Sequence, residues 1–457
     1  MFQVSAINTK KKNNLLIYLF GALADLLFGY DVGVIGVALL FIKHDMQLTP
    51  ILQGLVVSSL LIGAMIGVAS CGVLSDRFGR RRIILLTGFI FSFGAIGTAL
   101  SPSVVVLILF RFIMGLGVGA ASVVVTVYLA EMAPSEKRGA LTSLNQFMVV
   151  VGILVAYLVD YGLAPFGAWR LMLGIGLIPS VILLIGMYFQ PETPRWLMKK
   201  GMEKEAREVL GRFLEDSSIE KEIEEIKLIQ KTGTEKVGVG ELFVPWLRRI
   251  LIVAVGIAVF PQIMGINSII YYAPTILTKV GFGKMAAILA NVGIGTINVL
   301  VTLVAIRLID RIGRKKLLLL GTTGMALSMF IVSFAFFNAR IAGGATSWII
   351  LLFMTTYVAS FGVSWGTVVR VLISEILPLR IRGSVMGYVL VFNWGFNFLI
   401  GMFFPIFLNA LGLGKVFIVF GVIGIGAFFF VRKLVPETKQ RSLEEIEVEF
   451  RGSSLTV

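Results

Sequence analysis

Long apolar stretches, separated by short polar ones, make up most of this chain. A helix that crosses a membrane needs about 20 largely apolar residues, and stretches of that length predict twelve spanning helices, six on each side of a polar stretch at 191–247. The predicted spans are 15–42, 52–74, 83–101, 104–130, 141–163, 170–190, 248–278, 285–308, 317–338, 346–375, 383–409 and 415–434. The pattern therefore predicts an all-α polytopic membrane protein.

Three short motifs occur twice and in the same order. SDRFGRRR recurs as IDRIGRKK, AEMAPSEKRG recurs as SEILPLRIRG, and PETPR recurs in part as PET. The copies are separated by 234, 244 and 245 residues, respectively. Such a repeat indicates two six-helix halves of the same topology, an arrangement typical of transporters whose site lies between the halves.

The composition excludes soluble classes of protein. Hydrophobic residues make up 57% of the chain and charged residues 15%, whereas soluble domains average about 25% charged. A soluble enzyme, a secreted disulfide scaffold and a disordered adaptor are all excluded. The single cysteine, Cys71, cannot form an internal disulfide.

Basic residues lie mostly in alternate loops, which predicts the orientation. Of the 41 Lys and Arg residues, Arg111 and Arg370 lie inside predicted spans. Another 33 lie in the tails and in the loops on the same side as the tails, and six lie in the loops on the other side. The positive-inside rule then makes both termini and the middle loop cytoplasmic. The net charge of +15 therefore predicts no nucleic-acid partner. External loops are short and lack N-x-Ser/Thr, which fits a bacterial cytoplasmic membrane.

These observations divide the chain into four segments. The middle segment carries apolar residues at helical spacing, among them Ala206, Val209, Leu210 and Phe213, which predicts an amphipathic helix against the cytoplasmic face. The alternative is a passive linker. The predicted segments are an N-terminal half at 1–190, a cytoplasmic helical linker at 191–247, a C-terminal half at 248–434 and a cytoplasmic tail at 435–457.

Four motifs resemble the sugar porter branch of the major facilitator superfamily. They are FGYDVGVIG at 28–36, the run from RFIMGLG to EKRG at 111–139, PETPRWLMKKG at 191–201 and PQIMGINSIIYYAP at 261–274. The resemblance covers nearly the whole chain. It implies the major facilitator fold and transport by alternating access of a central site.

Two opposite charges inside predicted spans are candidates for proton coupling. An ionised side chain at the bilayer centre costs about 2.5–3.5 kcal/mol on insertion scales, so Asp31 and Arg111 each need a partner or a wet cavity. The resemblance implies that they meet beside the cavity and that Asp31 accepts the transported proton. Resembling proteins that run downhill without protons typically carry Asn at this position, so Asp31 favours symport. The alternative is a static ion pair that locks two helices.

Charged residues at the predicted cytoplasmic helix ends form a second set. The resemblance implies that salt bridges among them close the cytoplasmic side when the cavity faces outward, and the alternative is that they only orient and anchor the helices. The set comprises Asp76, Arg80, Glu131, Arg138, Glu192, Asp310, Arg314, Glu375 and Arg382.

Amides and aromatic rings inside the spans are candidates for sugar binding. A sugar is neutral and rich in hydroxyls, so its site needs amide donors and acceptors and an aromatic face. The amide candidates are Gln146, Gln262, Asn267, Asn298, Asn393 and Asn397, and the first four match family sugar-binding positions. The aromatic candidates are Phe28, Tyr271, Tyr272 and Trp394. Interhelical hydrogen bonding and packing are the alternatives for each.

The chain departs from bacterial xylose–proton symporters at several positions. Pro261 and Ile153 replace glutamines that those proteins frequently carry, and Asn393 replaces a longer Gln. Arg370 stands where the family usually has a pocket tryptophan, and Asp25 lies in a stretch that is ordinarily Gly-rich. Either Arg370 pairs with Asp25 across the first and tenth spans, or it faces the cavity and binds a carboxylate or phosphate.

The sequence thus predicts a proton-coupled symporter that imports a monosaccharide or polyol across the cell membrane. The alternatives are a proton-coupled transporter of an acidic sugar or organic anion and a proton-independent sugar facilitator. A P-loop, a metal-ligand cluster and a nucleophile–base pair are missing from the sequence, so an enzyme is not expected, and neither is a cofactor. The expected partners are the sugar or polyol, protons and the lipid bilayer, and we expect a monomer.

Overall fold

The computed structural model describes residues 2–132, 138–212, 216–232, 245–338, 344–378, 382–441 and 443–452. Within these ranges, side chains are described except at residues 2–19, 138–143, 216–217, 229–232, 245, 382–384, 443–444 and 451–452. Twelve segments of the described chain are long and apolar enough to cross a membrane. The predicted all-α polytopic architecture is confirmed, with span ends shifted by a few residues.

The first six spans are built from seven helices. The sixth span is interrupted at Ile175 and Gly176, and a 3₁₀ turn at Ala164–Phe166 precedes it. The helices are α1 (Phe2–Asp45), α2 (Pro50–Phe78), α3 (Arg80–Ala99), α4 (Val104–Met132), α5 (Arg138–Leu163), α6 (Trp169–Gly174) and α7 (Leu177–Tyr188).

The linker forms three short helices where the sequence predicts one. They are α8 (Pro194–Lys199), α9 (Glu203–Gly211) and α10 (Asp216–Thr232). The chain turns between α8 and α9 at Gly201, whose φ of 78° favours glycine. Ala206, Val209 and Leu210 are buried as the helical spacing predicts, and Phe213 lies outside the described residues.

The last six spans are built from eight helices, because the seventh and tenth spans are each broken in two. The helices are α11 (Pro245–Ile263), α12 (Ile266–Lys279), α13 (Lys284–Ile312), α14 (Arg314–Phe337), α15 (Ala345–Val363), α16 (Trp365–Ile376), α17 (Arg382–Leu411) and α18 (Leu413–Leu434). A tail helix, α19 (Leu443–Gly452), follows.

Glycines allow the spanning helices to approach one another closely. A Cβ on Gly115 of α4 would lie 2.0 Å from the backbone oxygen of Leu60 on α2, and one on Gly119 would lie 2.0 Å from that of Ala64. Small residues permit such packing in membranes, where apolar surface gives helices little reason to associate. The 50 glycines of the chain are in keeping with this packing.

The two sets of six spans meet mainly where α2 packs on α17, α5 on α13 and α1 on α12, and α16 also contacts α5. An even number of spans places both termini on one side of the membrane, and we call the other side the far side. Contacts at the far side include the ammonium of Lys284, 3.6 Å from the ring centroid of Phe41. Gly54 also lies against the backbone of Met402 there. The structure is therefore closed at the far side.

Candidate functional site

Asp31 and Arg111 form a buried ion pair between α1 and α4. The two guanidinium Nη atoms lie 3.3 and 3.4 Å from the two carboxylate oxygens, and each side chain is 2% exposed. The Nε atom of Arg111 has no hydrogen-bond partner among the described residues. The structure thus brings together the two residues that the sequence nominates for proton coupling.

The helices of the seventh and tenth spans are broken near the middle of the membrane. In the seventh span, α11 ends at Ile263 and α12 begins at Ile266, with Gly265 at a φ of 89°. In the tenth span, Ser364 separates α15 from α16. Unwound backbone at this depth is tolerated where it lines a cavity or is buried in protein, and substrate sites of transporters commonly lie beside such breaks.

The predicted sugar-binding amides have different surroundings. Asn267 donates to Gln262 Oε1 at 2.7 Å across the break of the seventh span. Gln146 is half-buried on α5. Asn298 is 4% exposed on α13, and its Oδ1 accepts no hydrogen bond from the described residues. Asn393 instead donates to the backbone oxygen of Ala258 at 2.9 Å, the interhelical role that was the alternative for each amide.

A small cavity lies between the two sets of spans beside Asn298. Its volume is about 10 Å³, close to the roughly 10–15 Å³ that one water molecule requires. Tyr157 of α5 lines one side, and Asn291 and Asn298 of α13 line the other. Polar groups from both halves therefore converge on this cavity.

The aromatic candidates divide into two groups. Phe28 and Trp394 form an edge-to-face contact between the first and eleventh spans, with ring centroids 5.2 Å apart. Tyr271 is 2% exposed, and its hydroxyl lies 3.5 Å from Asn397 Nδ2. Tyr272 stacks on a neighbouring ring and donates to a backbone oxygen of its own half. Phe28, Trp394 and Tyr271 thus lie at the junction of the halves, whereas Tyr272 is part of the packing.

Arg370 and Asp25 face each other across the first and tenth spans. Arg370 Nη1 lies 4.0 Å from Asp25 Oδ1, and the exposed fractions of the two side chains are 37% and 6%. The second carboxylate oxygen of Asp25 has no hydrogen-bond partner among the described residues. This geometry is that of a loose ion pair, open on the Arg370 side.

Charged residues at the termini side form a cluster within the first half. Arg80 donates to Glu131 Oε1 at 3.1 Å and pairs with Asp76 at 2.9 Å. Glu192 accepts from the backbone N–H of Arg80 at 3.0 Å, where α3 begins. Burial raises the pKa of the Glu192 carboxyl, and its N–H donors oppose that shift. Thr193 donates to Glu131 Oε2 at 2.5 Å.

The second half repeats this cluster residue for residue. Arg314 donates to Glu375 Oε1 at 2.9 Å and pairs with Asp310 at 3.0 Å. Glu437 accepts from the Arg314 N–H at 2.9 Å, and Thr438 donates to Glu375 at 2.5 Å. Among the residues with described side chains, each cluster pairs only inside its own half. The side chains of Arg138 and Arg382 lie outside that part of the structure.

Several polar residues of the site were missed by the sequence analysis. Asp160, Asn145 and Asn291 lie inside predicted spans, are at most 2% exposed and carry polar atoms without a hydrogen-bond partner among the described residues. The rule that nominated the other amides, a polar side chain within an apolar span, also applies to these three. Glu437 was recognisable as the copy of Glu192 in the repeated PET motif.

Comparisons with known proteins agree on one kind of protein. A family model described as "Sugar (and other) transporter" matches residues 17–450. The glucose transporter GlcP of Staphylococcus epidermidis is 48% identical over 96% of this chain and 98% of its own length. A D-xylose transporter of Levilactobacillus brevis is 44% identical over 97% of each chain. The major facilitator superfamily proton:xylose symporter XylE of E. coli, solved with 6-bromo-6-deoxy-D-glucose, has a TM-score of 0.81 at 32% identity, over 96% of this chain and 100% of its own.

Proposed function

Because the chain belongs to the sugar transporter family of the major facilitator superfamily, we propose that it is a proton-coupled symporter that imports a monosaccharide or polyol by alternating access. It is a transporter and not an enzyme. Its relatives include a glucose transporter and a D-xylose transporter, and a similar structure is that of a proton:xylose symporter. Sugar and protons are accordingly its substrates.

The buried pair of Asp31 and Arg111 carries the proton-coupling part of this proposal. A carboxylate at 2% exposure stays ionised because the guanidinium compensates its charge. A proton on Asp31 removes that compensation and leaves Arg111 charged without its partner. Protonation therefore changes the free-energy difference between conformations in which Asp31 and Arg111 are paired and conformations in which they are apart. A ligand shifts a two-state equilibrium in the same way.

A neutral sugar fits the central polar groups better than an anion. Gln262, Asn267 and Asn298 supply amide donors and acceptors, and Phe28 and Trp394 supply an aromatic wall. The charge of Arg370 is balanced by Asp25 at 4.0 Å. A second net charge from the substrate is therefore not needed to satisfy it.

The contacts between the two halves support transport by alternating access. The far side is closed by contacts such as Gly54 with Met402, while each charge cluster of the termini side is paired within its own half. We propose that these clusters brace the helix ends and re-pair across the halves when that side closes. The excess of basic residues on the termini side supports a cytoplasmic location of the termini. The same proposal includes the division into four segments, a location in the cell membrane, contact with the lipid bilayer and a monomeric state.

Uptake into proteoliposomes tests the function. Purified protein is reconstituted, and a panel of radiolabelled pentoses, hexoses, polyols and uronates is offered with and without an inward proton gradient. We expect at least one neutral sugar or polyol to accumulate above its external concentration only when the outside is acidic. Uptake that equilibrates but never exceeds the external concentration contradicts coupling and indicates the facilitator alternative.

One observation favours an acidic substrate as the second candidate. Arg370 is 37% exposed and meets Asp25 through a single contact at 4.0 Å, whereas a tightly paired arginine makes two hydrogen bonds of about 2.7–2.9 Å. The same uptake panel separates the candidates, because an anion site predicts that uronates accumulate and that Arg370→Gln abolishes their uptake. Neutral-sugar uptake that survives Arg370→Gln supports the first candidate.

A further inference from the structure

Asp160 is a buried carboxyl that the proposed coupling mechanism does not use. It lies on α5, two turns beyond Ile153 and toward the far side, and its exposed fraction is 0%. Neither carboxyl oxygen has a hydrogen-bond partner among the described residues. Asp31, by contrast, has Arg111 within 3.3 Å.

An ionised carboxylate cannot remain in such surroundings. Burial of a charge without a partner costs far more than burial of a neutral polar group, so the group binds a proton instead. A protonated carboxyl needs only ordinary hydrogen bonds, which a single water molecule can supply. The burial and lack of partners at Asp160 therefore point to a neutral acid in this closed conformation.

The interface between α5 and α13 next to this part of α5 is also polar. The ring of Tyr157 packs on Gly295 of α13, within 2.7 Å of where a Cβ would stand. The fifth and eighth spans run in opposite directions, so Asp160 and Asn291 lie about 4.5 and 6 Å farther toward the far side than this contact. Both amide atoms of Asn291 lack hydrogen-bond partners among the described residues, and Asn291 lines the water-sized cavity.

No nearby cation holds Asp160 in its charged form. The helices packed against α5 carry titratable or charged groups in their spans or at their far-side ends, namely Asp25, Tyr30, Asp31, Lys43, His44 and Asp45 on α1, Arg111 and Tyr128 on α4, Arg170 on α6, Lys284 and Arg307 on α13, and Arg370 on α16. Tyr30 of α1 and Tyr157 of α5 itself interact electrostatically with Asp160. The Tyr30 hydroxyl already donates to the Met172 backbone oxygen at 2.6 Å.

We propose that Asp160 is a second proton-binding site, filled when the two halves close at the far side. The proposal rests on the proposed function, since α5 and α13 separate when that side opens and water then reaches the carboxyl. In the open state Asp160 is hydrated and free to ionise. Closure returns it to the dry interface with Asn291, and only the protonated form fits there. External pH thus controls closure independently of Asp31.

Infrared spectroscopy of the purified protein tests the proton itself. At pH 7.5 to 8, we expect the carbonyl stretch of a protonated carboxylic acid in the wild type, its loss in Asp160→Asn and its persistence in Asp31→Asn. The isosteric amide keeps the volume of the side chain, and Glu220→Gln on α10, whose side chain is 65% exposed, is the matched control that leaves the band unchanged. A spectrum in which Asp160→Asn removes no such band overturns the proposal. This result does not depend on transport, so it stands even if the sugar assignment fails.

Sugar counterflow tests the consequence for closure. Exchange is measured in the Asp31→Asn background, where the coupling carboxyl no longer titrates, with external pH varied between 6 and 9. We expect exchange to fall by up to about tenfold for each pH unit above the titration point of Asp160, since one unit changes the protonated fraction of a group tenfold once it is mostly ionised. The Asp31→Asn/Asp160→Asn double variant should lose this decline. An unchanged decline in the double variant contradicts the proposal, whereas proton-driven accumulation that persists in Asp31→Asn counts only against the role of Asp31.

Discussion

Replacement of Asp31 by asparagine separates proton coupling from sugar movement. At 3.3 Å, the attraction between two unit charges is about 5 kcal/mol in an effective dielectric of about 20. Moving a two-state equilibrium from 1:99 to 99:1 takes about 5.5 kcal/mol. Protonation of Asp31 therefore changes an interaction of about the size that such a switch requires, and Asp31→Asn removes that change permanently.

The assay is concentrative uptake into proteoliposomes with the membrane potential clamped. One pH unit is worth about 1.4 kcal/mol per proton, so a symporter that carries one proton per sugar accumulates it about tenfold. We expect a ratio near ten for the wild type and near one for Asp31→Asn, while sugar counterflow, which needs no net proton movement, persists. Glu220→Gln is the matched carboxylate-to-amide control and should keep the wild-type ratio. Tenfold accumulation by Asp31→Asn refutes the reasoning.

Three further predictions concern the ion pairs and a helix break. Arg370→Gln leaves Asp25 buried without a partner and should lower the free energy of unfolding, measured by thermal unfolding, by about 1–3 kcal/mol. The double variant Asp25→Asn/Arg370→Gln should lose less than the sum of the two single changes. Strict additivity would show that the 4.0 Å contact is not an interaction. Glu131→Gln and Glu375→Gln each remove a charge partner of an arginine and should slow uptake about fivefold, equivalent to about 1 kcal/mol. The affinity for sugar, measured by equilibrium binding, should not change. An altered Kd would place these residues in the binding site. Gly265→Ala puts a Cβ 2.4 Å from Phe420 at a φ of 89° and should destabilise the protein by about 1–3 kcal/mol. In the control Gly283→Ala the new Cβ meets nothing within 4 Å, so stability should change by less than about 0.5 kcal/mol. Equal effects of the two changes would contradict the steric argument.

The spans and the charge clusters were predictable because each depends on a local property of the chain. Apolar length reports membrane thickness, and the duplicated motifs place Arg80 and Arg314 in equivalent loops. The structure gives both arginines the same partners, a glutamate on the following span and an aspartate four residues earlier. Repetition in sequence therefore predicted repetition of contacts.

Contacts between distant spans were less predictable, because they depend on how each helix is rotated and shifted against its neighbours. Asn393 satisfies every sequence criterion for a sugar ligand, yet it donates to the Ala258 backbone. The pairing of Arg370 with Asp25 was one of two open hypotheses. The breaks at Gly265 and Ser364 also escaped the apolar pattern, since both lie inside predicted spans.

The two halves have the same charged residues at their helix ends but different polar residues at the centre of the membrane. This difference suits the two halves to different roles. The clusters around Glu131 and Glu375 match residue for residue, as expected of helix ends with equivalent roles in the movement of the two halves. At the centre, the residue 244 positions after Arg111 is Thr355, so the second half has no copy of the buried ion pair. That half instead carries Gln262, Asn267 and Asn298. In the proposed mechanism, a proton on Asp31 and a sugar on these amides act on opposite sides of one interface, so each favours a different part of the same closure and coupling between them requires no direct contact.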